Sequence, residues 1–220
     1  MSVAAVFWGS VALLVIGFLA AAARRVMTAR VVYAACLAAS TVLFVIALRH
    51  LWFDDGWSYR MELPLGLPWI GARFSLDALT AFFLLVVNLG AAASSLYGLG
   101  YGVHERASHR VLPFYPAFLA GMNLVVLADD AFTFLFAWEF MSLSSWALVM
   151  AHHRERDNAR AGYIYLVMAS FGTLSLLLAF GLLAGADGGY AFEHIRARDP
   201  SPLLAGLSSY TAVPPSSCQI

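Results

Sequence analysis

Residues Ala131 to Ala151 form an apolar run of 21 residues with a single ionisable side chain, Glu139. At a helical rise of about 1.5 Å per residue the run is roughly 31 Å long, enough to cross the hydrocarbon core of a bilayer. Glu139 lies eight residues in, so roughly 12 Å below one surface, beyond the reach of its own short stem. A carboxyl group at that depth costs at least about 2.5 kcal/mol on insertion scales, so it must face protein or water and not lipid. Burial disfavours its charged form, which makes it a group able to carry a proton. The structural alternative is a hydrogen bond to a neighbouring helix. Ser142 shares the helical face of Glu139 at i+3, and Ser145 flanks it at i+6. Both serines can bond the acid or line a wetted path, or bond back to the carbonyl at i−4.

The same length argument applies elsewhere in the chain. Apolar residues make up 61% of it and charged ones 12%, against about 25% charged in an ordinary soluble domain. Mean hydropathy is +0.77. The expectation is an all-α, polytopic transmembrane bundle of about six helices: Val3–Ala23, Val31–Leu48, Leu76–Leu99, the short Leu112–Ala128, Ala131–Ala151 and Ala161–Ala184. The first run is read as a retained helix, because Arg24 and Arg25 follow it, whereas a cleaved signal peptide carries its charge in front. Residues 1–52 thus hold two helices, 53–75 a loop, 76–184 a four-helix module and 185–220 a polar loop with an atypical end. In the 53–75 loop, Asp54, Asp55, Gly56, Pro64, Pro68 and Gly71 break any helix, and a hairpin fits. Leu203–Val213 is too short to span.

All thirteen basic residues are arginine. Eight fall in the loops after the first, third and fifth helices and five in the others, which places the first set in the cytoplasm and the N-terminus outside an inner-type membrane. No basic cluster is large enough for nucleic acid. Cys36 and Cys218 form no disulfide or metal spacing, and no haem, cluster, flavin or nucleotide motif is present, so no cofactor is expected. Asp77 and Asp129-Asp130 read as helix caps. His152 and His153, at the far end of the Glu139 helix, titrate near neutrality and are candidates for an entry relay beside the default of a solvated helix end. Ser170, Gly172, Thr173 and Ser175 read as a close-packing stripe.

The stretch Phe134-Leu-Phe-Ala-Trp-Glu-Phe-Met-Ser-Leu-Ser-Ser-Trp-Ala-Leu-Val149, with Asn158-Ala-Arg-Ala-Gly-Tyr-Ile-Tyr-Leu-Val-Met168 and Gly172-Thr173, resembles the antiporter-like membrane subunits. Within them it is most similar to component B of hydrogenase-4 and its formate hydrogenlyase counterpart, with complex I antiporter-like and Mrp subunits as relatives. Leu76-Asp-Ala-Leu-Thr-Ala-Phe-Phe83 adds a fainter match. The resemblance implies the N-terminal part of a fourteen-helix fold with Glu139 on the proton path. It also implies partners in other membrane subunits and a peripheral hydrogenase or dehydrogenase arm. In that family the glutamate works with a lysine on a seventh helix, and this chain has no lysine. Its last residues, Ser208 to Ile220, do not resemble that helix, so the chain reads as an N-terminal fragment, inactive alone. A sodium/proton antiporter subunit and a purely structural anchor are the alternatives.

Overall fold

The computed structural model describes residues 3–22, 29–53, 59–64, 71–101, 111–152, 156–184 and 190–197. Long uninterrupted apolar runs give long helices: α1 (Val3–Ala22), α2 (Ala29–Phe53) and α3 (Ala78–Tyr101). They are followed by α4 (Phe114–Leu127), α5 (Ala131–Val149) with a 3-10 turn at Met150–His152, α6 (Arg156–Ala184) and the short α7 (Phe192–Ala197). Among the described residues five helices are long and apolar enough to cross a membrane: α1, α2, α3, α5 and, from Arg160, α6. The helix α4 has 14 residues and falls short of that length.

Between α2 and α3, β1 (Tyr59–Leu63) and β2 (Ala72–Leu76) pair antiparallel with Tyr59 opposite Leu76 and Leu63 opposite Ala72. Gly71, just ahead of β2, has φ +62°, a conformation that costs a residue without a Cβ nothing. The two faces of β2 differ as a strand's must: Ala72, Phe74 and Leu76 are buried, while Arg73 and Ser75 are half-buried. The hairpin expected at 53–75 is therefore present. Asp77 accepts the Thr80 N–H at 2.7 Å and starts α3, as a cap should.

Helix α1 packs on α2 and α4, α2 on α3, α3 on α4, α4 on α5, and α5 on α6. The core is made by the inward faces of α1 to α4 together with β2, among them Leu13, Leu43, Leu84, Leu119 and Leu127. Outward faces keep their large apolar side chains exposed, including Phe18, Val42, Leu89, Leu96, Phe171 and Leu178, as suits helices solvated by lipid. Two boundaries differ from the sequence reading. The polar stretch ahead of the last spanning run is not all loop, since α6 begins at Arg156. Arginine and alanine carry good helix propensity, so Arg156, Ala159 and Arg160 let the apolar run extend its helix into the polar zone. Likewise the polar segment after Ala184 contains α7.

Helices α4 and α5 approach each other closely. A Cβ on Gly121 would lie 2.9 Å from both Cα and Cβ of Met141, backbone and side-chain root that have no room to retreat. Gly121→Leu should cost about 1–3 kcal/mol by overpacking, read as a lowered unfolding midpoint in nanodiscs. The same change at Gly90, which nothing approaches within 4 Å, should leave the midpoint nearly unchanged.

Candidate intramembrane proton site

Glu139 owes its position to a joint at the start of α5. Asp130 is 2% exposed. Its carboxylate accepts the Thr133 N–H at 2.8 Å and the Thr133 hydroxyl, which caps α5. It also accepts the Arg73 N–H of β2 at 2.9 Å. Around it, the Asp129 N–H donates to the Arg73 carbonyl (2.9 Å), the Ala131 N–H to the Tyr190 carbonyl (3.0 Å) and the Phe192 N–H to the Asp129 carbonyl (3.3 Å). The hairpin and the start of α5 thus meet at one carboxylate, and backbone hydrogen bonds beside it tie in the segment leading into α7. Of the two aspartates read as caps, Asp130 is the cap, and Asp129 pairs instead with Arg60 at 3.6 Å.

Outside this joint lies a polar cavity of about 240 Å³ lined by Arg60, Glu62, Arg73, Asp129, Glu193 and His194. Arg60 also pairs with Glu193 (2.5 Å), and Arg73 with Glu62 (3.0 Å). These exposed pairs add little stability each. Among the described residues no group of three or more His, Cys, Asp or Glu side chains could hold a metal ion.

From Ala131 the helical rise carries Glu139 about 12 Å down α5. Met141 packs on Gly121 of α4, and Glu139, two residues earlier, points about 200° away around the helix. Leu135, Ser142 and Trp146 share its face at i−4, i+3 and i+7, and Trp146 approaches Gly162 of α6. Glu139 is half-buried. Among the described residues no hydrogen bond or ion pair reaches its carboxyl group. Ser142 is buried on the same face, yet no hydrogen bond joins the two. His152 ends the 3-10 turn, about 20 Å along the axis from Glu139, so the two are not brought together. His153 lies outside the described residues.

The hydroxyls of Ser144, Thr173 and Ser175 bond back to the carbonyls of Phe140, Ala169 and Phe171, the self-satisfaction expected of serine and threonine in apolar helices. Gly172 has nothing within 4 Å of a built Cβ, so no described helix approaches closely at that glycine. Trp138 stacks on Phe134 with ring centroids 5.9 Å apart, the packing role expected from its depth.

Sequence reading missed a second polar feature. Asn88 of α3 donates to Asn123 of α4 across 2.7 Å, and both are fully buried. Asn123 donates to the Leu119 carbonyl (2.8 Å), and Ser95 shares a hydrogen bond with Tyr115 (2.8 Å). The available signal was an asparagine inside each of two apolar runs, a pattern as conspicuous as Glu139 itself.

Comparison with known proteins places this arrangement. Residues 128–211, which contain α5 and α6, match the family described as NADH:quinone oxidoreductase/Mrp antiporter, transmembrane. Hydrogenase-4 component B of Escherichia coli is 35% identical over 132 residues, covering 59% of this chain and 20% of that protein. Among solved structures, an Mrp complex from Dietzia superposes with a TM-score of 0.73 at 22% identity, over 94% of this chain and 39% of that one. The membrane-bound sulfane sulfur reductase, an archaeal respiratory membrane complex, gives 0.72 at 17%, over 94% and 43%. Over these residues the chain is similar to antiporter-like membrane subunits, and its multi-pass helical fold is shared with the two solved complexes. It spans about a fifth of the curated relative's length.

Asp130→Ala should free β2 from α5 and cost about 1–3 kcal/mol, since it removes a cap and leaves buried donors unpaired. Hydrogen exchange should then speed up at the Thr133 and Arg73 amides together. Faster exchange at Thr133 alone would mean that the strand is held by something else.

Proposed function

We propose that this chain is part of the membrane arm of a hydrogenase- or NADH dehydrogenase-like complex that couples electron transfer to proton movement, with Glu139 as its intramembrane proton carrier. The observation that carries this reading is the state of Glu139: a carboxyl group at membrane depth, half-buried and without a partner among the described residues, on the face of α5 turned away from α4. Such a group is costly unless protein or water covers it. Its stretch is the part matched by the family, and the similarity to hydrogenase-4 component B supports the redox setting. Other membrane subunits and a peripheral oxidoreductase arm are the partners. An inner membrane with the N-terminus outside follows from the arginine bias. Ser142, buried on the Glu139 face, is a candidate to line the path. His152 and His153 are candidates to receive protons at the opposite helix end.

A second reading, a subunit of an Mrp-type sodium/proton antiporter, is favoured by the shared fold with an Mrp complex. The two differ in what drives transport. Glu139→Gln keeps the shape and removes the titrating group. In inverted vesicles from the native host it should abolish proton uptake driven by the electron donor while the assembled complex is retained at normal level. Loss of sodium-driven proton exchange, with redox-driven uptake intact, would favour the antiporter. Unchanged transport of both kinds would leave the chain as a structural anchor.

A further inference from the structure

A buried polar seam lies away from the Glu139 face. Helix α2 buries the row Tyr33, Cys36, Ser40, Leu43, Ala47 and His50, with Val32 and Ile46 beside it, and α3 buries the row Ala81, Leu84, Asn88, Ala91, Ser95 and Gly98. Both sets alternate steps of three and four, which is the heptad pattern of interlocking helices. The hairpin between them makes the pair antiparallel, and the Tyr33 ring lying against Gly98 fixes the register. Counting layers from that contact puts Ser40 opposite Ala91, one layer, or about 5 Å, from Asn88. Both polar residues lie near the middle of their helices, about 15 Å from either end.

Asn88 uses its Nδ2 twice, donating to the Leu84 carbonyl at 2.8 Å and to Asn123 Oδ1 at 2.7 Å. Its Oδ1 is fully buried and has no partner among the described residues, and the same holds for Ser40 Oγ. Neighbouring hydroxyls behave differently: Ser10 and Thr41 bond back to the carbonyls of Val6 and Leu37. Buried polar atoms without partners are rare, and bound water is the usual remedy. Here the two atoms are complementary, one an acceptor and the other a hydroxyl able to accept or donate. The residue opposite Ser40 is alanine, the smallest side chain with a Cβ.

We propose that the seam between α2 and α3 binds a water molecule that donates one hydrogen to Asn88 Oδ1 and bonds Ser40 Oγ. The site joins the asparagine pair to α2 and makes a hydrated centre in the first helices, separate from the Glu139 face.

The test is Ser40→Ala in the protein purified from its native membrane into nanodiscs. A bridged hydroxyl predicts that the unfolding midpoint falls by about 2–4 °C. In an Asn88→Leu background the same change should have no further effect, because the bridge is already lost. An unchanged or raised midpoint would overturn the proposal, since a hydroxyl without a partner, or one bonded back to its own helix, costs nothing to remove. If Asn88→Leu does not fold, radiolytic hydroxyl labelling of the unaltered protein decides. Oxidation at Cys36 and Leu43, on either side of Ser40, supports a bound water; protection equal to that of Leu13 in α1 contradicts it.

Discussion

The carboxylate of Asp130 is the interaction on which the arrangement of the Glu139 helix depends. One buried side chain accepts from the strand β2 and from the first turn of α5. Strand and helix start therefore cannot shift independently, and backbone hydrogen bonds from Ala131 to Tyr190 and from Phe192 to Asp129 add the residues before α7. A helix has a fixed rise, so pinning its first residue fixes the depth of every later one. Glu139 stands about 12 Å from the joint because Asp130 holds the start of α5 against the hairpin. The close α4–α5 approach at Gly121 and Met141 fixes the remaining freedom, rotation about the helix axis. Together the two contacts set both how deep the carboxyl group lies and which way it faces.

The polar groups at membrane depth sort by how they are satisfied. Most hydroxyls return to their own helix, the asparagines meet between α3 and α4, and Ser95 meets Tyr115. These are the solutions expected where no solvent is available to complete a hydrogen bond. Glu139 is satisfied by none of them, although it is the most expensive group of the set to leave exposed to lipid. It faces away from α4, next to the α5–α6 contact. We read that face as one built to be covered by further protein or water, the setting in which a carboxyl group can take up and release a proton.

Much of this was legible in the residues because bilayer thickness converts apolar length directly into helices. The spanning runs, the hairpin around the helix-breaking Pro64 and Gly71, and the Asp77 cap all follow from local rules. What escaped were features set by contacts between distant segments. Nothing local distinguishes Asp130 from Asp129 until β2 arrives with its Arg73 amide. The Asn88–Asn123 bond joins positions 35 residues apart. The start of α6 at Arg156 and the presence of α7 were hidden by polar composition, which marks surface but not the absence of helix. The Glu139 helix itself was plain from one charge in an apolar run, whereas the direction that charge faces needed Gly121.

The most direct measurement is electron paramagnetic resonance of a spin label at Leu135, one turn from Glu139 on the same face, compared with a label at Leu89 on the exposed face of α3. Power saturation by oxygen, which concentrates in the hydrocarbon of the bilayer, reports contact with lipid in the native membrane complex. A covered Glu139 face predicts that the Leu135 label is shielded from oxygen while the Leu89 label is fully accessible. Equal accessibility at the two sites would place Glu139 against lipid and remove the basis for a proton site there.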